Sequence, residues 1–428
     1  MKIASDQHKI DNLQWKFQNE NLIILESQMP EHPSSVQSFV AVRPKNQIKI
    51  SDNRVEWQID GQKKSFSMNP WQALSEFRNQ TGGWLFGYLG YDLKNHTENL
   101  TSENRELLAI PDLYFMEPEL LFRIEKENLV QLSGDNISSA ENQQNFDLNE
   151  EINLQNFEPS ISWQRYKTNI LHIQELIKNG NFYELNYSFP MCGQFSGSSY
   201  RLYQKMRQIN PVPFGAYLSL DEYSAVCASP ERFLKKQGAK VISEPIKGTA
   251  ARNENKTRDI RQKEELLNEK NRAENLMIVD LVRHDLSKIA KTGSVKVAKL
   301  YDVQTFGTVH QLISTIEAET DDQVNPVEIL KQCFPMGSMT GAPKIEVMKT
   351  IDQLEEYRRG LYSGAVGYIT PEGNFDFNVV IRTAIIQGNQ LIYPVGGAIT
   401  SDSEPENEWK EAEVKARSIT KVFKKSGE

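Results

Sequence analysis

Residues 361–370 and 375–386 are rich in strand-forming side chains, and between them lies Pro371-Glu372-Gly373-Asn374. A turn that short joins antiparallel neighbours, so this stretch argues against a sheet of parallel strands and crossover helices. Residues 391–395 add a third strand. Far upstream, Leu22-Ile23-Ile24-Leu25 and Ser38-Phe39-Val40-Ala41-Val42 read as strands between Gly- and Asp-rich turns, and residues 84–92 as an aromatic strand ending in a turn. Helices come in separate blocks. Trp163, Tyr166, Ile170, Ile173, Leu176 and Ile177 fall on one helical face, with Gly180 as the stop. Further helices are expected at 256–270, 273–289 and 405–423. Tyr183, Leu185, Tyr187 and Phe189 alternate with Glu184, Asn186 and Ser188, the period of a half-buried strand. Strands linked by hairpins, with helices grouped apart, indicate an α+β fold of mostly antiparallel sheets.

Composition narrows the class of protein. A chain of 428 residues with 39% hydrophobic and 25% charged side chains has the make-up of a globular protein large enough for two or three domains, or for one large two-lobed unit. Its net charge of -8 argues against nucleic acid as the main partner. No window reaches the roughly 18 apolar residues of a membrane span, and Met1–Gln7 lacks the apolar core of a signal peptide. Cys192, Cys227 and Cys333 are unclustered, and the six histidines show no HExxH spacing. A disulfide framework and a structural zinc are therefore not expected, a reducing cytoplasm fits, and any metal would rest on carboxylates. A polar stretch near 133–162, holding residues 134–139 and the run Asn142-Gln143-Gln144-Asn145, reads as a surface connection. It divides an N-terminal region, 1–150, from a C-terminal region, 160–428.

Several segments of the C-terminal region carry chemistry. Lys247 stands in Pro245-Ile246-Lys247-Gly248-Thr249, where a constrained backbone can aim its amine. In a dry, cation-lined pocket such an amine becomes a nucleophile; in water it is an ordinary loop lysine. Glu408 and Glu411 lie i, i+3 on one helix and Glu274 begins another, a pattern that suits Mg²⁺ or two solvated helix faces. Gly337-Ser338-Met339-Thr340-Gly341-Ala342-Pro343-Lys344 fails the phosphate-loop pattern, because its second glycine comes one residue early. It remains a Gly-rich turn feeding a helix, whose free N–H groups can receive a carboxylate. Gly396 and Gly397 mark a second place where backbone can approach a ligand. Arg382, in an apolar run, is either an anion clamp or an edge-strand arginine reaching solvent. His310 suits a core or a functional role equally. Glu231, in Ser229-Pro230-Glu231-Arg232-Phe233, serves as a general acid only where its surroundings raise its pKa.

Together these segments resemble the chorismate-utilising enzymes, the family of anthranilate, aminodeoxychorismate, isochorismate and salicylate synthases. The matching stretches run in the family's order: SPERF at 229–233, PIKGT at 245–249, NRAENLMIVDLVRHDL at 271–286, VHQL around His310, CFPMGSMTGAPK at 333–344, LYSGAVGYIT at 361–370, VVIRT at 379–383, PVGGAI at 394–399 and PENEWKEAEVKA at 405–416. Leu25-Glu26-Ser27 and Gly87-Tyr88-Leu89-Gly90-Tyr91 look like weaker N-terminal motifs of the anthranilate and aminodeoxychorismate branches. The resemblance implies a two-subdomain sandwich of mostly antiparallel sheets covered by helices, with chorismate bound by the C-terminal region.

The PIxGT motif separates branches: anthranilate synthases typically carry Ala at its third place, whereas aminodeoxychorismate synthases that form a covalent intermediate carry Lys, as here. Glu184 departs from the pattern, since the isochorismate branch has Lys at that position and the aminodeoxychorismate branch usually Gln. The resemblance further implies Mg²⁺ on Glu274 and Glu411, with Glu408 close by, against the ring carboxylate of chorismate. Arg382, Tyr362 and the N–H groups of Gly396 and Gly397 would hold the enolpyruvyl carboxylate, with Gly248, Thr249, Ser338 and Lys344 also against the substrate. Lys247 would attack C2 while Glu231 protonates the departing C4 hydroxyl, and His310 joins the catalytic set. Ammonia would come from a separate glutamine amidotransferase subunit, and the product would be 4-amino-4-deoxychorismate, for 4-aminobenzoate and folate. Anthranilate formation and a non-catalytic chorismate- or amino-acid-binding role are the alternatives. Desolvation, Mg²⁺ and Arg382 are expected to push the Lys247 pKa below the ordinary value of about 10.4, with the nearby acids opposing.

Overall fold

A computed structural model of the chain describes residues 3–29, 32, 37–125, 128–135, 151–306 and 309–423. The unbroken apolar run at 22–25 becomes the strand Leu22–Glu26, buried on both faces. Leu22 and Ile24 point into one core while Ile23 and Leu25 point into another, the alternation that a strand's period of two requires. Strand Ser38–Ser51 does the same: Val40 and Val42 join the first core, Phe39 and Ala41 the second. The aromatic segment forms Leu85–Leu89, with Phe86 and Tyr88 in that second core and Leu85 and Leu89 in a third.

These three cores define the layers. The second is made almost wholly of strand residues, so it is the seam where sheet packs on sheet. The other two lie under helices. Ile3–Lys16, Trp163–Lys178, Ser199–Ile209 and Pro405–Thr420 cover one side, and Pro70–Thr81, Glu269–Ser287 and Pro326–Cys333 the other. The 21 strands form one hydrogen-bonded network, with antiparallel pairing throughout the described residues. The α+β, helix-covered antiparallel sandwich is thus the fold. Strands from the two ends of the chain interleave: Leu22–Glu26 pairs with Phe214–Leu220, and Leu85–Leu89 with Ala365–Ile369.

Several local expectations need correction. Part of the polar connection is a strand, Asn153–Pro159, laid along Glu184–Ser196; its side chains are largely exposed, which is why its composition reads as loop. Residues 136–139 and the run 142–145 lie outside the described residues. The segment 375–386 is two strands, Phe375–Asn378 and Thr383–Gln387, separated where Arg382 takes a left-handed φ of 51°. Strand Glu184–Ser196 is buried on both faces over its first half rather than half-exposed, because its polar residues face an interior site. Tyr183, just outside it, is exposed. Helix Ile3–Lys16, unmarked in the sequence reading, packs Ile10 and Leu13 into the first core.

Candidate active site

Lys247 lies near the start of strand Ile246–Ala251, which runs antiparallel to Val309–Glu319. The register slips between Ile246 and Thr249, and Gly248 takes a φ of 90°. Such an irregularity turns a side chain out of the regular alternation. Here it directs Lys247 Nζ to Glu184 Oε1 at 2.7 Å, with the two side chains 12% and 3% exposed. Glu184 opens its strand between two others: Ala342 pairs with it on one side, and the strand Gln390–Ile399 runs alongside on the other. Gly341 carries no side chain for a steric reason, since a Cβ there would come within 2.0 Å of the Glu184 carbonyl oxygen. The Gly-rich turn is thereby pressed against the strand that presents Glu184.

The electrostatics of this cluster correct one expectation. Burial disfavours the charge on Lys247, but Glu184, Glu274 and Glu231 outweigh it and hold the amine above its ordinary pKa. Glu231 goes the other way for a carboxylate. Burial pushes it up to about 7, against the Ser338 hydroxyl, Lys247, the Ile246 N–H and Arg382. Its backbone is fixed by Ser229, whose Oγ accepts from Glu231 N–H at 3.2 Å and donates to Val379 O at 2.6 Å. Next to it, Arg232 grips Asp376 through two hydrogen bonds of 3.0 and 3.1 Å and also pairs with Glu244, anchoring the strand that follows. A small cleft borders Glu231, Pro245 and Ser338.

Glu274, on helix Glu269–Ser287, is raised by burial and by the charge of Glu184, with Lys247 and Lys270 opposing. Glu408 and Glu411 come from helix Pro405–Thr420. Burial and Glu411 raise Glu408, whose Oε1 accepts from Ser403 at 2.8 Å. Partial burial acts on Glu411 as well, but Lys415 at 2.8 Å pulls it below the ordinary carboxylate value. Gly397 passes beneath this pair: a Cβ there would lie 3.3 Å from Glu408 Oε2 and 3.9 Å from Glu411 Oε1. Acids on two helices over bare backbone fit a hard cation that takes one or two carboxylates and fills its shell with water and substrate oxygens. Among the described residues no three acids or histidines are gathered closely enough to cage an ion alone.

The remaining expected residues divide. Arg382 is neither of the two alternatives in full: it sits in the break between strands, where burial lowers its pKa, and it makes no ion pair among the described residues. Gly396 and Gly397 pair with Ser188 and Tyr187, the strand that also carries Glu184. Tyr362 is 3% exposed, and its phenol is engaged by Ser363 and Ser188 beside the buried Arg359–Glu355 pair. Gly248 supplies the turn after Lys247, while the Thr249 side chain is exposed.

Two expected residues are committed elsewhere. His310 bonds Asp259 at 3.0 Å and Thr305 at 2.9 Å, tying helix Lys256–Glu265 to the sheet and reaching none of the cluster's acids. Lys344 donates to Asp285 at 2.5 Å and to Pro335 O at 2.7 Å, so it braces the Gly-rich turn against helix Glu269–Ser287. Lys415 was missed. It donates to Gly396 O at 2.6 Å as well as to Glu411, and its i, i+4 spacing from Glu411 was the available signal.

Comparison with known proteins agrees with this geometry. A family model described as chorismate binding enzyme matches residues 20–421. The chain is 33% identical over 350 residues to aminodeoxychorismate synthase component 1 of Escherichia coli, a match covering 80% of this chain and 77% of that protein. It is 41% identical over 252 residues to the aminodeoxychorismate synthase of Streptomyces griseus, covering 58% of this chain but only 35% of that longer protein. The crystal structure of anthranilate synthase component I from Streptococcus pneumoniae superposes with a TM-score of 0.78 at 26% identity, covering 91% of this chain and 93% of that one. With matched residues spanning the N-terminal strands, the Lys247 bulge and both acid-bearing helices, the chain belongs to the chorismate binding enzymes.

Proposed function

We propose that this chain replaces the C4 hydroxyl of chorismate with an amino group, forming 4-amino-4-deoxychorismate through an adduct on Lys247. The observation that carries the reading is a nearly buried lysine whose charge acts on a carboxyl held near 7, Lys247 on Glu231. Hydroxide is a poor leaving group, so its departure needs an acid still protonated near neutrality. Once the Lys247 ammonium has given its proton to solvent, the free amine bonds to C2. Electrons of the ring diene shift toward C4, the C4–O bond breaks, and Glu231 gives its proton to the oxygen, which leaves as water. Ammonia then adds at C4, the diene electrons return, and the C2–N bond breaks to restore the lysine. Arg382, a half-buried cation that makes no ion pair among the described residues, is suited to the enolpyruvyl carboxylate, with the backbone of Gly396 and Gly397 beside it.

Glu274 and Glu411 would hold Mg²⁺, with Glu408 close by; when bound, the ion supplies positive charge against the ring carboxylate. Glu274→Ala and Glu411→Ala should weaken chorismate binding and lower turnover at limiting Mg²⁺ by at least the roughly 10–100-fold that loss of a supporting residue costs. Undiminished turnover in chelator-treated protein would remove the metal from the reaction. A separate glutamine amidotransferase subunit would deliver the ammonia. No helix among the described residues is long and apolar enough to cross a membrane, and we place the enzyme in the cytoplasm, in the route to 4-aminobenzoate and folate.

The test is product identification by mass spectrometry after incubation with chorismate, Mg²⁺ and ammonium. The expected product is 4-amino-4-deoxychorismate. Anthranilate would assign the chain to the other branch, and recovery of unchanged chorismate from protein that binds it would mean a binding role.

A further inference from the structure

Glu184 and Lys247 form a contact ion pair that is nearly sealed from water, joining residues 63 positions apart. Glu231, Glu274 and Glu411 also act on Lys247, from the turn before strand Arg232–Gln237 and from two helices, but Glu184 is the acid in contact with it. Among the described residues Glu184 Oε2 is buried with no hydrogen-bond donor. Lys247 is thus the one hydrogen-bond donor to that carboxylate among them, and taking the proton from Lys247 alone would strand a buried anion. An ammonium has no lone pair to attack with. The contact that aims the amine therefore also keeps it unreactive.

We propose that Glu184 is the positioning residue that governs when Lys247 becomes a nucleophile, holding the amine both aimed and protonated until the pair gives up its proton. The chemical consequence rests on the adduct reading above, whereas the hold on the proton does not. A neutral group at 184 would leave the ammonium buried against fewer anions, and Lys247 would shed its proton more readily.

Two measurements separate these layers. Competitive labelling of Lys247 with acetic anhydride, followed on its peptide across a pH series, reports the free amine without reference to any reaction. Glu184→Gln should move its half-labelling point to lower pH, raising labelling at neutral pH by about tenfold or more. Glu184→Asp, which keeps the charge but withdraws it, should fall between Gln and wild type, and it serves in place of Gln should the latter not fold. In ammonia-free single-turnover experiments with chorismate, adduct formation should follow the same order, with the curves converging at high pH. A half-labelling point unchanged in both variants would overturn the proposal. So would adduct formation slower at every pH in Glu184→Gln with chorismate still bound, since Glu184 would then be a base and not a restraint. A shifted labelling curve in an enzyme that forms no adduct at any pH would uphold the hold on Lys247 and defeat the adduct reading instead.

Discussion

Lys247→Ala should form no covalent adduct with chorismate, and its turnover to 4-amino-4-deoxychorismate should fall by on the order of 10³ or more. In wild type, chorismate without ammonia should add mass to the peptide that carries Lys247, and ammonium should remove it. The rate of adduct formation should rise with pH, because a protonated amine cannot attack. The direction of the shift matters here. Glu184, Glu274 and Glu231 hold Lys247 above its ordinary value against the opposing effect of burial, so the free amine goes on accumulating into the alkaline range. This reverses the expectation of a depressed pKa, which gave desolvation and nearby cations more weight than the acids that surround the amine. Turnover undiminished in Lys247→Ala would reduce the residue to an electrostatic contact.

Glu231→Gln should keep chorismate affinity and lose about 10²–10⁴ in the chemical step, the usual worth of a general acid. Gln has nearly the same shape but no proton to give a leaving hydroxide. Burial holds the Glu231 carboxyl up to about 7, so the acid is present below that pH and is lost as pH rises through it. Wild-type single-turnover rates should therefore rise toward about 7 and level off above it, where loss of the Glu231 proton offsets the gain of free Lys247 amine. The Gln variant should show no levelling at 7 and should go on rising. Lost affinity with unchanged turnover would make Glu231 a binding group instead.

Much of the architecture was legible because its signals are local. The turn at 371–374 implied its hairpin, and Gly367 does pair with Phe377 across it. The helix starting at Trp163 could be read from its apolar face, and in the structure the Ser162 side chain caps it. The break at Arg382 was not legible. Val379 to Thr383 has the composition of a continuous strand, and only the competition among neighbours for Val379 and Val380, which bond Glu231 and Gly364, forces the chain to turn. His310 and Lys344 illustrate the converse. Motif position marked them, yet each makes a hydrogen bond that joins a helix to its surroundings, to Asp259 and to Asp285.

The sequence by itself singled out the residues proposed for the chemistry: Lys247, Glu231, the acids at 274, 408 and 411, and the glycines that let backbone come close. It also determined the antiparallel α+β character, since alternation and short turns are properties of neighbouring residues. Tertiary structure alone decided how those residues act on one another. The strand carrying Glu184 is buried on both faces only because strands from distant parts of the chain flank it, and this burial turns its polar residues inward. The register slip at Lys247 then brings the amine to Glu184, and the enclosed acids set its charge. Protonation depends on burial and on charges brought together across long stretches of sequence, and no local pattern encodes either.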